Sequence, residues 1–209
     1  MKTEIVPAIL VQDQKTFVER LRMVEGLATV VQVDCMDGHF VKNRTWYEAE
    51  PIETTLGIEL HLMVSDPLST IWLWRRIPQL TRVVWHSEIP IDHAALIREC
   101  RKLGIECGLA ISPETSVEKI APYLDRIDEV LVLGVNPGWS GQALIPSTLE
   151  KIAAIKRIHA EVDVGFDGGA TVDNLKSIVE AGADRINLAS ALFQTPDPRE
   201  TLRAILSTI

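Results

Sequence analysis

The chain has 209 residues, of which 46% are hydrophobic, and its formal net charge is −8. A chain of this length can bury a large core, and we expect one α/β domain over residues 1–209. The acidic balance argues against binding to nucleic acid or to an anionic membrane, so any phosphate must be held by local contacts. We expect the partner to be a small molecule.

The cysteines indicate a reducing compartment. Cys35, Cys100 and Cys107 are odd in number and lack Cys-x-x-Cys spacing, which predicts reduced thiols rather than a disulfide framework. The apolar stretch near the N-terminus is too short for a secretion signal, and no run in the sequence approaches the length of a membrane span. We therefore expect a soluble, cytoplasmic protein without a membrane partner.

A strand pattern followed by a helix pattern repeats along the chain. Apolar runs of strand length occur at residues 5–10, 29–34, 58–63, 82–86, 106–111, 129–135, 162–167 and 185–189. Strands that are apolar throughout and alternate with helices are typical of a parallel sheet covered by helices. Eight such units favour an α/β fold of the closed (β/α)8 type, a TIM barrel, over an open doubly wound sheet.

Several residues predict where the intervening helices begin and end. Asp13 and the pair Asp66-Pro67 are typical of helix N-termini, and Gly26, Gly104 and Gly182 are typical of positions just after a helix. Residues 147–150 (STLE) predict a capping box, in which the first and last side chains cap each other's backbone. We also expect a helix over residues 48–56.

Polar residues fall at the C-terminal ends of the predicted strands, where barrels place their active groups. They are Gln32, Asp34, His61, His86, Ser112, Asn136, Asp167 and Ser190. Gln32 and Asp34 are two apart on one strand, so both side chains point to the same side of the sheet. Two carboxylates beside a metal can remove a proton next to a carbonyl on one face and return one on the other. Gln32, Asp34, His61 and Asp167 are therefore candidate ligands and acid/base groups, and they favour an isomerase.

Four segments carry a more specific pattern. They are residues 31–41 (VQVDCMDGHFV), 60–64 (LHLMV), 135–142 (VNPGWSGQ) and 166–169 (FDGG), with 6–10 (VPAIL) and 189–193 (ASALF) at the two ends. In this order they resemble the signature segments of the ribulose-phosphate 3-epimerase family, and the similarity covers nearly the whole chain. The resemblance implies a barrel of the ribulose-phosphate-binding type.

The family's activity is the interconversion of ribulose 5-phosphate and xylulose 5-phosphate by proton transfer at C3, in the pentose phosphate pathway. The resemblance places the two acid/base carboxylates on Asp34 and Asp167. It places the metal ligands on Gln32, Asp34, His61 and Asp167. Because Gln32 stands where the family has histidine, the divalent cation is left open among Mn, Mg, Fe, Co and Zn. The substrate and phosphate contacts fall on His61, Gly138, Gly141, Gln142, Gly168, Gly169, Ala189 and Ser190.

Other departures from the family collect where it contacts the sugar. Ala8 and Val11 replace two serines, Ser112 replaces an asparagine and Gly134 replaces a serine or threonine. Ser140 and Ala189 replace glycines near the expected phosphate site. A lost hydrogen bond to a polyol costs about 1–3 kcal/mol when its partner stays unpaired. These departures predict either a different substrate or reduced activity.

Tryptophans and histidines outside these motifs give weaker signals. Trp72 and Trp74 begin an unusually apolar helix, which is typical of core packing or of a contact between subunits; we favour the contact, and hence a homo-oligomer. Trp139 stands where the family has phenylalanine and is expected to cover bound substrate. His39, His86 and His93 have no second feature that singles them out.

Two alternatives stay open beside the epimerase. The chain could be a divergent paralogue that acts on another ketose phosphate, or that binds a sugar phosphate without turnover. It could also be another phosphate-binding barrel, such as a relative of orotidine-phosphate decarboxylase or hexulose-phosphate synthase. Those relatives carry an Asp-x-Lys-x-x-Asp arrangement, whereas residues 34–37 read DCMD, without the lysine.

Overall fold

Eight parallel strands close into a barrel in which each strand pairs with the next and the last pairs with the first. This computed structural model describes residues 2–209. The strands are β1 Glu4–Ile9, β2 Val30–Met36, β3 Gly57–Met63, β4 Leu80–His86, β5 Glu106–Ile111, β6 Glu129–Leu133, β7 Asp163–Asp167 and β8 Arg185–Leu188. All eight predicted strands are present, and the predicted TIM barrel is confirmed.

Helices surround the barrel. They are α1 Gln14–Val24, α2 Pro67–Trp74, α3 His93–Leu103, α4 Leu149–Ile158, α5 Leu175–Glu180, α6 Ser190–Phe193 and α7 Pro198–Thr208. Asp13 and Asp66 cap α1 and α2 as predicted, because each carboxylate accepts a hydrogen bond from the N–H three residues later. Gly104 ends α3 in the left-handed conformation, with φ +69°. Each helix within residues 2–209 is too short or too polar to cross a membrane.

The helix predicted over residues 48–56 is wrong. These residues follow β2 as an extended loop. Pro51 disfavours the helical conformation at the preceding residue. The loop carbonyls instead accept hydrogen bonds from side chains near the end of α2: the Trp74 indole binds the carbonyl of Tyr47, and the Arg76 guanidinium binds that of Ala49. Tertiary contacts thus satisfy backbone groups that a helix would have paired locally.

The predicted capping box at residues 147–150 is also wrong. Residues Pro146–Thr148 form a 3₁₀ turn, and α4 starts at Leu149. The Thr148 hydroxyl donates back to the carbonyl of Ile145 at 2.7 Å, so it does not serve the first turn of the helix. The proline changes the entry of the chain into the helix and removes the geometry on which a capping box depends.

Side chains inside the barrel form distinct layers, because alternate residues of each strand point inward. The middle layer is a small apolar cluster of Val84, Ala110, Leu131 and Leu133. The much larger hydrophobic core lies between the sheet and the helices. The inward positions at the N-terminal end of the strands carry charges, and those at the C-terminal end carry the candidate site.

The charged layer is a basal ion cluster of Glu59, Arg82, Glu129 and Arg185. Glu59 and Glu129 are completely buried. Arg185 Nη1 donates to both Glu129 oxygens, at 3.1 and 3.0 Å, and also to Glu59. Arg82 Nη1 lies 3.1 Å from Glu129 Oε2. Burial raises the pKa of Glu129 to about 7, and the neighbouring Glu59 carboxylate adds to the effect. A side chain at Gly165 would overlap the Glu129 carboxylate, so that glycine makes room for the cluster.

The two tryptophans of α2 have different surroundings. Trp74 is completely buried, and its indole nitrogen lies 2.8 Å from the Tyr47 carbonyl oxygen, so the prediction that it contacts another subunit is wrong. Trp72 is 45% exposed beside the exposed Leu68 and Leu73. The apolar excess of this helix is therefore divided between the core and the surface.

Candidate functional site

Three of the predicted residues meet inside the C-terminal end of the barrel. Asp34 and His61 lie opposite each other on the paired strands β2 and β3, and Asp167 is the last residue of β7. All three are buried. One candidate ligand atom from each lies within 4.8 Å of the others. The closure of the barrel thus brings together carboxylates that are far apart in sequence.

His61 holds the two carboxylates through one nitrogen. Its Nδ1 lies 3.1 Å from Asp34 Oδ1 and 3.3 Å from Asp167 Oδ2. Burial disfavours the imidazolium, but the hydrogen bonds and charges of Asp167 and Asp34 outweigh it and raise the pKa of His61 to about 10. Burial raises the pKa of Asp34; the hydrogen bond from His61 opposes this, and the Asp167 charge adds to it. A raised carboxyl pKa moves the group toward the range of a general acid near neutral pH.

Gln32 lies beneath the pair and presents its amide nitrogen to it. Nε2 lies 3.0 Å from Asp34 Oδ1 and 2.8 Å from Asp167 Oδ2. The amide oxygen accepts a hydrogen bond from Asn187 Nδ2, while Asn187 Oδ1 is buried without a hydrogen-bond partner among residues 2–209. Two acceptor carboxylates require a donor between them, which explains this orientation. To offer its oxygen to a cation, Gln32 would have to turn its amide, and Asn187 would have to turn with it.

The donor set of Asp34, His61 and Asp167 fits a divalent cation. Two carboxylates and one imidazole offer ligand atoms close enough to share an ion, and oxygen with nitrogen ligands suits several first-row metals. A cation at His61 Nδ1 would take the place of the proton that the nitrogen shares with the carboxylates. The three-residue group therefore accounts for most of the predicted ligand set, and Gln32 occupies the fourth side as an amide.

His86 and Glu88 extend the site outward, although the sequence analysis assigned no role to His86. His61 Nε2 lies 3.0 Å from His86 Nε2, and His86 Nδ1 lies 3.1 Å from Glu88 Oε2. Burial lowers the pKa of His86 to about 4, which keeps this imidazole neutral. The available signal was the spacing of His86 and Glu88, two residues apart where β4 ends, which places both on the same side.

A cavity opens above the carboxylates and is rimmed by the glycine loops. Its lining includes the predicted residues Asp34, His61, Gly138, Gly141, Asp167, Gly168, Gly169, Ala189 and Ser190. Gly168 and Gly169 have φ of +93° and +71°. A side chain at Gly168 would overlap Val135, and one at Gly169 would meet the Leu144 backbone at 2.6 Å. Glycine is therefore required at both positions, and the backbone stays accessible from the cavity.

The loop after β6 is held by polar side chains. Gln142 lies outside the cavity lining, and its amide donates to the carbonyls of Asn136 and Trp139, each at 2.8 Å. Asn43 donates to the Gly138 carbonyl at 2.9 Å from the opposite loop. Trp139 lines the cavity and is 63% exposed. The loop thus presents a large indole at the entrance on a backbone that is tied down on both sides.

Three of the positions that depart from the family pattern, Ala8, Val11 and Gly134, are apolar and buried. Ala8 and Val11 are buried in β1 and just after it. A side chain at Gly134 would overlap the Phe166 ring and the Gly168 carbonyl, so this backbone leaves no room for a hydroxyl. Ser112 lies outside the cavity lining. The cavity walls also include residues that the sequence analysis missed, namely Leu10, Met36, Met63, Leu133 and Val135.

Comparisons with solved structures agree with the fold. The chain superposes on orotidine 5'-monophosphate decarboxylase from Sulfolobus solfataricus with a TM-score of 0.67 at 16% identity, covering 100% of this chain and 98% of that chain. It superposes on a chain of the tryptophan synthase complex from Pyrococcus furiosus with a TM-score of 0.70 at 13% identity, covering 98% of each chain. At such low identity these matches show the barrel fold alone.

Sequence comparisons are more specific. The Ribulose-phosphate 3 epimerase family matches residues 4–193. Ribulose-phosphate 3-epimerase from Chlamydia muridarum (strain MoPn / Nigg) is 32% identical over 201 residues, which is 91% of this chain and 88% of the relative. The enzyme of the same name from Mycobacterium bovis (strain ATCC BAA-935 / AF2122/97) is 30% identical over 209 residues, covering 96% and 90%. The predicted resemblance and enzyme class are therefore confirmed, and the chain belongs to the ribulose-phosphate 3-epimerase family of isomerases.

Proposed function

We propose that this protein epimerises a ketopentose phosphate at C3, interconverting ribulose 5-phosphate and xylulose 5-phosphate within a single barrel domain. The observation that carries the proposal is the pair of buried carboxylates, Asp34 and Asp167, which share His61 and Gln32 at the floor of one cavity. Epimerisation needs two proton-transfer groups on opposite faces of one carbon, and this pair supplies them.

The roles of the residues follow from their contacts. One aspartate takes the C3 proton as carboxylate, while the other, protonated, returns a proton to the opposite face. A divalent cation held by Asp34, His61 and Asp167 would stabilise the negative charge that develops on the substrate oxygens. The walls formed by Met36, Met63 and other apolar residues exclude water and thereby strengthen electrostatic interactions at the floor of the cavity.

The phosphate is assigned to the rim formed by Gly141, Gly168, Gly169, Ala189 and Ser190. These residues lie on three loops around one cavity. Backbone N–H groups of glycine-rich loops approach phosphate oxygens closely, because no side chain intervenes. An acidic protein with charge −8 has no general attraction for anions, so local donors of this kind are the means by which it would hold phosphate.

Proton NMR of the protein with ribulose 5-phosphate in deuterated buffer tests the proposal directly. We expect the C3 proton signal to disappear as the proton is exchanged, followed by xylulose 5-phosphate signals, when Mn²⁺, Mg²⁺ or Zn²⁺ is supplied. Exchange at C3 reports proton abstraction even where net conversion is slow. Neither exchange nor conversion with either pentulose under these cations would rule out the pentulose assignment.

A second candidate is a related ketose phosphate. The observation in its favour is the apolar character of Ala8 and Val11 and the absence of space for a side chain at Gly134. These positions offer no hydroxyl to a polyol. Ketohexose phosphates in the same exchange experiment separate the candidates: a changed substrate exchanges at C3, whereas a protein that only binds shows a shift on ligand addition without exchange.

We expect Gln32→His to raise zinc affinity by at least about tenfold, because even the loss of an outer partner of a ligand typically costs about 10- to 100-fold in metal affinity. The purified protein should hold less than one equivalent of zinc, because Gln32 directs an amide nitrogen at the carboxylates, whereas imidazole offers a lone pair there. Elemental analysis and competition with a chromophoric chelator measure both values. Gln12→His, at an exposed position, is the control. Tight stoichiometric zinc in the unaltered protein would contradict the expectation.

Inorganic phosphate should change tryptophan fluorescence, because Trp139 stands at the cavity entrance. We expect Gly168→Ala to weaken phosphate binding by about tenfold or more, since a lost charge-assisted hydrogen bond is worth about 1.5–3 kcal/mol. Gly104→Ala is the matched control, because its φ of +69° carries the same backbone strain with nothing within 4 Å and away from the site. If the fluorescence change persists in Trp139→Phe, another tryptophan is its source. If Gly168→Ala binds phosphate as well as the unaltered protein does, the phosphate lies elsewhere.

Two further properties complete the proposal. The exposed Leu68, Trp72 and Leu73 of α2 form an apolar surface that we assign to a contact between copies of the chain, which sedimentation of the purified protein tests. The three cysteines are free and buried, in keeping with a reducing, cytoplasmic location. Cell fractionation measures that location.

A further inference from the structure

A buried series of side chains leads away from the candidate site along the end of β4. His61 Nε2 faces His86 Nε2 at 3.0 Å, and His86 Nδ1 faces Glu88 Oε2 at 3.1 Å. We propose that Glu88 and His86 are positioning residues that keep a hydrogen on His61 Nε2, so that Nδ1, between Asp34 and Asp167, is the nitrogen that can exchange its proton for a cation. The inference rests on the proposed function in one respect, because Nδ1 serves catalysis as a ligand only where a cation binds.

The direction of the hydrogen bonds starts at Glu88. Its Oε1 accepts from the Ser112 N–H at 2.9 Å and from the Thr115 hydroxyl. Burial opposes ionisation of Glu88, but the hydrogen bonds from His86, Thr115 and Ser112 outweigh it and lower its pKa to about 2. An ionised carboxylate can only accept hydrogen bonds. His86 must therefore carry its hydrogen on Nδ1.

The hydrogen on His86 Nδ1 determines the hydrogen bond between the two imidazoles. His86 contacts one carboxylate and His61 contacts two, so the hydrogen between the two rings stays on His61 Nε2, and His86 Nε2 accepts it. The nitrogen of His61 that remains for a ligand is Nδ1, and it already faces the two aspartates at 3.1 and 3.3 Å. Histidines that bind metals commonly donate the other N–H to a partner that fixes the ring. Here that partner is a second histidine, oriented in turn by a carboxylate.

The far end of the series is firmly anchored. Lys151 on α4 donates to the carbonyls of Ser112, Pro113 and Thr115, at 2.9, 2.7 and 2.7 Å. This contact holds the loop after β5, and with it the Ser112 N–H that binds Glu88. A backbone N–H cannot become an acceptor, so whichever atom of residue 88 faces Ser112 must be an oxygen.

Glu88→Gln therefore gives a sharp test. The amide oxygen must face Ser112, which leaves the amide nitrogen facing His86 Nδ1. The amide nitrogen donates, so His86 Nδ1 must accept and the hydrogen of His86 moves to Nε2. His61 Nε2 must then accept from His86, and the hydrogen left on His61 Nδ1 is one that a cation can displace only by making the ring an anion. Two-bond ¹⁵N–¹H spectra of the ¹⁵N-histidine-labelled protein distinguish the protonated ring nitrogen from the unprotonated one. We expect His86 to have an unprotonated Nε2 in the unaltered protein and an unprotonated Nδ1 in Glu88→Gln.

Binding of Zn²⁺ alone, measured by competition with a chelator, is the second readout. We expect Glu88→Gln to weaken it by about 10- to 100-fold, the usual effect of losing an outer partner of a ligand. Glu114→Gln neutralises a nearby exposed carboxylate, and Thr115→Val loosens the loop while it keeps the Glu88 charge; both should retain the His86 tautomer and the affinity.

The outcomes distinguish the positioning role of Glu88 and His86 from the proposed function. A shift of the His86 hydrogen from Nδ1 to Nε2 in Glu88→Gln, with unchanged controls, supports the inference. The inference is overturned if the His86 hydrogen stays on Nδ1 in Glu88→Gln. It is also overturned if Thr115→Val loses as much Zn²⁺ affinity as Glu88→Gln. If the unaltered protein binds no Zn²⁺, the metal part of the proposed function is in question. The His86 tautomer then decides the positioning role of Glu88 and His86: a shift of the hydrogen to Nε2 in Glu88→Gln upholds that role, and no shift refutes it.

Discussion

Replacing Asp34 or Asp167 with asparagine should lower kcat for epimerisation by about 10²- to 10⁴-fold, the contribution typical of one positioned acid or base. In the proposed mechanism, proton transfer on opposite faces of C3 requires both carboxyl groups. An amide can approach the same partners but cannot act as a base at neutral pH. The two carboxylates share Gln32 Nε2 and His61 Nδ1, so each variant keeps the other group in place.

Exchange measurements should separate the two variants. The aspartate that acts as base for one epimer controls deuterium incorporation into that epimer. One variant should therefore still exchange ribulose 5-phosphate, and the other only xylulose 5-phosphate. Asp66→Asn is the matched control, because asparagine caps a helix about as well as aspartate and α2 lies outside the cavity lining. Full conversion by either active-site variant would exclude the two-carboxylate assignment.

Arg185→Met should lower the free energy of unfolding by about 3–5 kcal/mol, the usual cost of removing one partner of a buried ion pair. Arg185 binds both buried carboxylates of the basal ion cluster, and its Nε also donates to Glu4 at 3.0 Å. Without it, Glu59 and Glu129 share the single charge of Arg82. Urea denaturation followed by circular dichroism measures the loss.

The pH dependence of this effect has a definite sign. The pKa of Glu129 in the folded protein, about 7, lies above its ordinary value of 4.5. Its contribution to stability is therefore fully present below about pH 4.5 and is lost as pH rises through 7. Loss of Arg185 raises this pKa further, so the substitution should lower the free energy of unfolding more at pH 8 than at pH 5. Adding Glu129→Gln should remove most of that difference.

Arg101→Met is the control for charge alone. Arg101 pairs with Asp128 at 2.9 Å but is 47% exposed, and an exposed pair contributes at most about 1 kcal/mol. Equal losses in Arg101→Met and Arg185→Met would mean that the basal ion cluster has no special role in stability. If only Arg185→Met lowers the free energy of unfolding, the effect comes from the buried carboxylates that Arg185 binds.

The barrel and the candidate acid/base pair can be predicted from the amino-acid sequence. Eight apolar runs separated by helix patterns leave few architectures that bury both faces of a parallel sheet, so the fold follows from local periodicity. The position of Asp34 at a strand end, two residues after Gln32, is enough to place both side chains on the same side of the sheet. The motifs around Asp34 and Asp167 identify the family because they are short-range patterns, and no distance is needed to recognise them.

The tertiary structure alone decided which groups face each other. The amide of Gln32 is oriented by Asn187, which lies 155 residues away. The link from His61 through His86 to Glu88 and the loop after β5 depends on the closure of neighbouring strands.

The helix expected at residues 48–56 failed for the same reason. The carbonyl of Ala49 in this segment, and that of Tyr47 just before it, bind side chains near the end of α2, and helix propensity carries no information about such partners. Long-range hydrogen bonds are set by the folded backbone rather than by local spacing. They decide the protonation and orientation of site residues that the sequence can identify only by type.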